Sequence, residues 1–172
     1  QIAAYYESED YISHTDGSRS LFEKAYQFVK QIALKNKLKC INELHQSKGI
    51  LLDIGAGTGD FLAVANQNGW QTIGIEPNDK AKKIAQSKGV ELIEATNSLD
   101  DHSIDVITMW HVLEHVPNVE NQIKELRRLL KPNGSIIIAV PNFNAYDAKY
   151  YDSYWAAFDV PRHLWHFSRK AI

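Results

Sequence analysis

Residues 51–59, LLDIGAGTG, combine an apolar run, a carboxylate and three alternate glycines. The apolar run is typical of a buried parallel strand, and glycines directly after it let the backbone turn sharply and approach a ligand closely. Thr58 or Asp60 can begin a helix at this point, with free N–H groups facing the loop. The segment therefore predicts a nucleotide-type pocket at the carboxyl end of a strand.

The glycine spacing and the acid indicate which nucleotide fits. The dinucleotide fingerprint G-x-G-x-x-G is matched at Gly55 and Gly57, but its third position is Asp60, and the third glycine comes one residue early, at Gly59. Asp53 beside the loop would repel a pyrophosphate and attract an ammonium or sulfonium group. The pattern therefore disfavours a dehydrogenase and favours a nucleoside that carries positive charge.

A second acid lies at the end of the next predicted strand. Glu76 follows Asp53 at close to the spacing of about 20 residues expected for a ribose-binding acid. A carboxylate at that point can accept hydrogen bonds from both ribose hydroxyls.

The elements around these residues alternate. The sequence predicts helices over 61–68, 78–88 and 119–130 and strands over 71–75, 90–93, 104–110 and 135–140, with a turn at 131–134. A further helix precedes the loop, with apolar residues at helical spacing (Phe22, Ala25, Tyr26, Val29, Ile32 and Ala33) and solvated lysines between Lys30 and Lys39. This order predicts an α/β fold, a doubly wound parallel sheet with helices on both faces.

Composition limits the classes of partner. The chain has 172 residues, 44% of them hydrophobic, and a net charge of −2, which fits one domain and gives no basic field for nucleic acid. No apolar run approaches the roughly 20 residues that span a bilayer. Cys40 is the single cysteine, which excludes an internal disulfide and a cysteine-built zinc site. We expect a cytoplasmic protein without a nucleic-acid partner.

Four motifs in order resemble the class I S-adenosylmethionine-dependent methyltransferases of the Rossmann-like type, in the small-molecule branch of types 11, 12 and 23. They are residues 52–59 (LDIGAGTG), 74–77 (GIEP), 104–116 (IDVITMWHVLEHV) and 130–135 (LKPNGS). The resemblance implies S-adenosylmethionine as cofactor, S-adenosylhomocysteine as product, and a small-molecule acceptor. It also implies cofactor-binding roles for Asp53, Gly55, Ala56, Gly57, Thr58, Gly59, Glu76, Pro77, Asn78, Thr96, Met109, Trp110 and His111.

The two ends of the chain resemble the lid and the substrate side of that branch. Tyr5, Tyr6, Tyr11 and His14 fall in the first, and residues 155–168 form the second. We divide the chain into 1–48 (lid and helix), 49–142 (cofactor-binding core) and 143–172 (start of the substrate side). The antiparallel strand pair that usually ends the family's sheet is not expected here, so an exposed sheet edge would favour pairing, for example as a homodimer.

The favoured function is methyl transfer to a small molecule, with oxygen preferred over nitrogen or carbon. A hydroxyl acceptor needs a base, and His163, His166 and His14 are the catalytic candidates, with His111 also considered. His163 and His166 have an equally good structural explanation in an aromatic cluster. Arg162 has one in an ion pair with Asp159.

Two alternatives remain open. His111, Glu114 and His115 match H-x-x-E-H, the inverted zinc-protease pattern, and would imply a zinc-dependent hydrolase. His111 directly follows a strand and Pro117 interrupts soon after, so no metal site is expected. The other alternative is a cofactor-binding module without catalysis, since a fold's binding motifs do not encode its chemistry.

Overall fold

The computed structural model describes residues 21–45 and 47–172. Its centre is a four-stranded parallel sheet in the order β2-β1-β3-β4. The strands are β1 (Ile50–Ile54), β2 (Gln71–Ile75), β3 (Ile104–Trp110) and β4 (Leu130–Ala139). Every strand pair among the described residues is parallel, which confirms the predicted sheet without the antiparallel pair.

Helices cover both faces of the sheet because its strands are apolar on both sides. The helices are α1 (Leu21–Leu44), α2 (Asp60–Gln67), α3 (Asp79–Ser87), α4 (Val119–Leu129) and α5 (Tyr146–Tyr151). Leu51 packs with residues of α1, α2 and α3 in one buried cluster. Its neighbour Leu52 packs with residues of α4 in the other. The predicted doubly wound architecture is confirmed.

The bounds of β2 and β3 are those predicted, but β4 begins earlier than expected. Ile104 pairs with Leu130, whereas Val106 pairs with Ser135. The predicted turn at 131–134 is therefore an irregularity within the strand rather than a separate loop. The Asp105 carboxylate stabilises it, because its Oδ2 accepts from the Lys131 ammonium at 2.7 Å and from the Ile50 N–H at 2.8 Å.

The predicted strand over 90–93 is wrong. It consists of a single parallel bridge between Gly74 and Leu92, with the Gly74 N–H donating to the Glu91 carbonyl and the Ile93 N–H to the Gly74 carbonyl, each at 2.9 Å. The chain leaves Gly89 in a left-handed conformation and enters a 3-10 turn at Thr96–Ser98.

The buried face of α1 also differs from the prediction. Tyr26, Val29 and Ile32 are exposed, and Leu34, Leu38 and Ile41 are buried against the sheet. The predicted apolar face lies in the first half of the helix. The second half is the part that packs on the other described residues.

No helix among the described residues is long and apolar enough to cross a membrane. The predicted lid residues Tyr5, Tyr6, Tyr11 and His14 lie outside the described residues.

Candidate functional site

The glycine loop, residues 55–59, joins β1 to α2 at the carboxyl edge of the sheet. Its first two N–H groups, of Gly55 and Ala56, donate to the Ile75 carbonyl at 2.8 and 2.9 Å. Gly55, Gly57 and Gly59 all have positive φ, of 79°, 53° and 75°, a region that disfavours side chains. The loop is therefore fixed to the end of β2, and glycine is needed at each of the three positions.

The three glycines differ in what surrounds them. A Cβ on Gly55 would collide with Val112, and one on Gly59 would lie 2.7 Å from the Ala85 Cβ. A Cβ on Gly57 would meet no atom within 4 Å. Gly55 and Gly59 thus serve close packing, whereas Gly57 borders open space from which a ligand can reach the backbone.

Asp53 is buried, with 3% of its surface exposed. Burial raises the pKa of its carboxyl to about 7, although a hydrogen bond from Thr108 and the charge of Lys37 act in the opposite direction. The Thr108 hydroxyl donates to Asp53 Oδ1 at 2.6 Å. A cationic ligand beside Asp53 would favour its ionised form and gain the electrostatic attraction.

The Glu76 carboxylate is held by the backbone on both oxygens. The Gly57 N–H donates to Oε2 and the Asn78 N–H to Oε1, each at 2.8 Å. This arrangement fixes the side chain beside the glycine loop while each oxygen keeps further acceptor capacity. Glu76 can therefore accept two adjacent hydroxyls without reorganisation.

Asp60 secures the loop from the side of the helices. Its carboxylate accepts from the Thr58 hydroxyl at 2.7 Å and forms ion pairs with Lys30 at 2.9 Å and Lys88 at 3.1 Å. These contacts lower the pKa of the Asp60 carboxyl despite its partial burial. The ion pair brings α1 and α3 onto the start of α2, and Lys30 is thus not the solvated residue that the sequence predicted.

Lys37 is a residue that the sequence motifs missed. Its ammonium lies 4.4 Å from the centre of the Trp110 ring and 5.8 Å from that of Phe61. Burial lowers the pKa of Lys37, and the nearby Asp53 opposes this shift. Lys37 falls on the buried face of α1 between Leu34 and Ile41, and this helical spacing is the signal that could have found it.

The three predicted cofactor residues at the end of β3 face different surroundings. Met109 is fully buried in the cluster beneath α4, so it offers no exposed surface to a ligand. Trp110 packs edge-on to Phe61 at 5.8 Å on the glycine-loop side. His111 has a positive φ of 58° and a side chain that is 64% exposed. This conformation is unusual for histidine and turns its ring out at the carboxyl edge.

Pro77, Asn78 and Thr96, which are also predicted to bind the cofactor, differ in their surroundings. Pro77 is exposed beside Glu76, and the Asn78 side chain caps α3 by accepting from the Lys80 and Ala81 N–H groups at 3.0 and 3.1 Å. The Thr96 carbonyl accepts from Arg128 of α4 at 3.1 Å, and the Thr96 side chain helps to lower the pKa of Glu125.

The predicted base candidates lie in the segment after α5. The His163 Nδ1 is 2.8 Å from the Ala157 carbonyl, and the side chain is 9% exposed. His166 is exposed, with Nε2 at 3.0 Å from the Phe158 carbonyl. Arg162 forms the ion pair with Asp159 that its structural explanation predicted, at 2.8 Å. His14 lies outside the described residues.

The H-x-x-E-H stretch does not form the helix that the inverted zinc pattern requires. Leu113–His115 is one 3-10 turn, and His111 lies before it, directly after β3. His111 and His115 therefore do not share a helical face. The hydrolase alternative therefore loses its structural basis. Glu114 is nevertheless an unusual residue, because it is a carboxylate with only 1% of its surface exposed.

A cleft of about 670 Å³ opens beyond the carboxyl end of β4. It is lined by Asn142, Asn144, Ala145, Tyr146, Ser168, Arg169 and Lys170. Since β1 and β4 run parallel, this cleft and the glycine loop lie at the same edge of the sheet, where ligands of open α/β folds bind.

Comparison with known proteins agrees with this geometry. A family model described as "Methyltransferase domain" matches residues 21–172. An uncharacterized protein of Methanocaldococcus jannaschii is 30% identical over 125 residues, which cover 71% of this chain and 58% of that protein. A ubiquinone biosynthesis O-methyltransferase of Nitrosospira multiformis is 31% identical over 104 residues, covering 55% of this chain and 44% of the enzyme.

The fold also matches solved structures. The magnesium protoporphyrin IX methyltransferase of Synechocystis, solved with bound SAH, superposes with a TM-score of 0.70 at 15% identity, covering 99% of this chain and 84% of that one. The chain spans about half the length of the curated relatives it matches.

Proposed function

The chain belongs to the methyltransferase-domain family, and we propose that it transfers a methyl group from S-adenosylmethionine to an oxygen of a small-molecule acceptor. The observation that carries the proposal is the arrangement of Asp53, Gly57 and Glu76. One carboxylate is buried beside the glycine loop, and the other is held by the Gly57 N–H at 2.8 Å. Open space borders the loop at Gly57.

The residues present fit this cofactor in charge and in shape. Asp53 would face the positively charged methionine end, and Glu76 would accept hydrogen bonds from the ribose hydroxyls. Gly57 would let the ligand contact the backbone without a side chain between them. The bound donor supplies a methyl group on a sulfonium, which is a good leaving group.

The chain's contribution to the reaction is then positioning. A methyl carbon and a nucleophile held in line at close approach need little further assistance. The carboxyl-edge cleft beyond β4 supplies room for an acceptor on the side of the glycine loop. The hydroxyl proton of the acceptor must leave as the O–CH3 bond forms, and we propose His166, whose Nε2 contacts the Phe158 carbonyl, or water as the group that takes it.

The preference for oxygen rests on the relatives. Two of them, at 31% and 29% identity, are ubiquinone biosynthesis O-methyltransferases. We infer a small acceptor with a hydroxyl group from these names and from the cleft, and we assign no particular acceptor.

Isothermal titration with S-adenosylhomocysteine tests the cofactor site. We expect binding by the full chain and a loss of affinity of at least about tenfold in Asp53→Asn and in Glu76→Gln. Glu91→Gln is the matched control, because Glu91 is an exposed carboxylate near the same strands, and it should bind as the unchanged protein does. Absence of binding by the folded, unchanged chain would refute the proposal.

Transfer of a radiolabelled methyl group tests the reaction. The chain is supplied with S-adenosylmethionine and either a catechol or its dimethoxy counterpart, in which both oxygens are blocked. If oxygen is the atom methylated, label can appear in the catechol but not in the dimethoxy compound. Tight cofactor binding without transfer to catechol, phenol or amine acceptors would instead identify a binding module without catalysis.

A further inference from the structure

Three side chains that are distant in the sequence meet behind the carboxyl edge of β3. Glu114 and His115 come from the 3-10 turn Leu113–His115, and His163 comes from the segment after the turn Ala156–Phe158. One ligand atom of each lies within 4.8 Å of the others. We call these three residues the histidine–glutamate cluster.

Backbone hydrogen bonds hold the two parts of the cluster together. The N–H groups of Leu164 and Trp165 both donate to the Glu114 carbonyl, at 2.8 and 3.2 Å. The Trp165 indole N–H donates to the Val116 carbonyl at 2.8 Å. These hydrogen bonds therefore fix the two segments next to each other.

The orientation of each imidazole is fixed by a carbonyl. The His115 Nδ1 lies 3.0 Å from the Arg162 carbonyl, and the His163 Nδ1 lies 2.8 Å from the Ala157 carbonyl. A carbonyl can only accept, so Nδ1 carries hydrogen in both rings, and Nε2 is the nitrogen of each ring that could bind a metal ion. Metal-binding histidines are oriented by the same kind of contact on the nitrogen that does not bind the metal.

The Glu114 carboxylate has no compensation within the described residues. It is 1% exposed, and neither of its oxygens has a hydrogen-bond partner. The exposed His111 ring lies nearby, with Nδ1 3.6 Å from Oε1. A buried carboxylate without hydrogen bonds is strongly unfavourable, so a cation bound here would compensate it.

We propose that Glu114, His115 and His163 bind a divalent transition-metal ion through the carboxylate and the two Nε2 atoms. Two imidazoles and one carboxylate suit Zn²⁺ and its neighbours in the first transition row, whereas Mg²⁺ and Ca²⁺ prefer oxygen ligands. Three protein ligands leave a coordination position for water or for an oxygen of another molecule. Asp159 Oδ2 lies 3.7 Å from His163 Nε2.

This site differs from the one that H-x-x-E-H suggests, because its third ligand is His163 rather than His111. It departs from the expectation of no metal, and it does not rest on the proposed methyl transfer. The ion would join the turn after β3 to the segment that follows α5. It would therefore lie at the carboxyl edge of the sheet.

Titration of the metal-free full chain with Co²⁺ tests the proposal, because cobalt bound to nitrogen and oxygen ligands in a low-symmetry site absorbs strongly in the visible. We expect saturation at one equivalent, displacement by Zn²⁺, and no displacement by Mg²⁺ in large excess. Glu114→Gln and His163→Ala should each weaken Co²⁺ binding by at least about tenfold.

Two histidine variants make the test specific. His166→Ala and His111→Ala remove exposed rings near the cluster and should leave the Co²⁺ titration unchanged. Thermal unfolding of the metal-free variants checks that each is folded, and Glu114→Gln keeps the proposal testable if His163→Ala is not. Failure of the unchanged chain to bind Co²⁺, or loss of binding in His111→Ala but not in folded Glu114→Gln, would overturn the proposal.

Discussion

Two buried carboxylates lie at the carboxyl edge of this sheet, and their surroundings differ. Asp53 is 3% exposed and accepts a hydrogen bond from Thr108 at 2.6 Å, with Lys37 close by. Glu114 is 1% exposed, and no group of the described residues hydrogen-bonds to either of its oxygens. The first carboxylate is partly compensated by neighbouring side chains, whereas the described residues leave the second without such compensation.

The comparison shows that the groups around a buried acid indicate which kind of ligand it suits. Asp53 can lose its charge, because burial raises its pKa to about 7, and regain it when a cation binds. Glu114 lies between two imidazoles whose hydrogens point away from it, an arrangement suited to an ion that stays bound. Four variants would break or sharpen this contrast.

The largest expected effect is on the pH dependence of stability at Asp53. Because its folded pKa, about 7, exceeds its unfolded value, the folded state binds the proton more tightly. The contribution of protonated Asp53 to stability should be complete below about pH 4 and should be lost, by up to about 4 kcal/mol, as the pH rises through 7. Denaturant unfolding at several pH values measures this.

In Asp53→Asn this pH-dependent contribution should disappear. The unfolding free energy of the variant minus that of the unchanged chain should therefore increase as the pH rises. A difference that does not change with pH between 4 and 8 would contradict the buried, protonated Asp53.

The next effect is at Glu114. Glu114→Gln replaces an uncompensated carboxylate with a neutral group of the same shape, so the metal-free protein should become more stable by about 1–3 kcal/mol. Thermal unfolding in the presence of a chelator measures this change. A lower melting temperature for the metal-free variant would mean that the carboxylate is already stabilised by protein groups.

A smaller effect of opposite sign is expected at Thr108. Thr108→Val keeps the shape and removes the hydroxyl that donates to Asp53, so stability at pH 8 should decrease by about 1–2 kcal/mol. Unfolding at pH 5, where Asp53 is protonated, should show a smaller loss. Equal losses at the two pH values would indicate a packing effect instead.

The smallest effect is at Lys37. Lys37→Met keeps the apolar stem against Trp110 and removes the charge that favours ionised Asp53, so stability should change by less than about 1 kcal/mol. The Asp53 transition should shift to higher pH. Lys35→Met on the exposed part of the same helix is the matched control and should leave the transition in place.

The proposed binding site for the methyl donor was largely predictable, because its residues are close together in the sequence. Asp53, the glycine loop and Glu76 belong to one strand–loop–helix–strand unit, and the bounds of β2 followed from its apolar pattern. The strand at 90–93 could not be predicted correctly, because its length depends on how far Gly74 and Leu92 stay in register.

The histidine–glutamate cluster could not be predicted for a related reason. The pattern at 111–115 suggested His111 as a partner of Glu114, but the 3-10 turn and the left-handed backbone at His111 leave that ring exposed. His163 reaches the cluster only through the pairing of its segment with the Glu114 carbonyl. Lys37 likewise acquires its role from the packing of α1.

The irregularity in β4 has a practical consequence for protein engineering. It lies at the amino edge of the sheet, where Asp105 joins Lys131 to the start of β1, and Pro132 and Asn133 at its tip are exposed. A strand such as β1 separates this edge from the glycine loop by about 16 Å. A reporter domain inserted between Pro132 and Asn133 would therefore follow folding of the sheet without covering the ligand-binding edge.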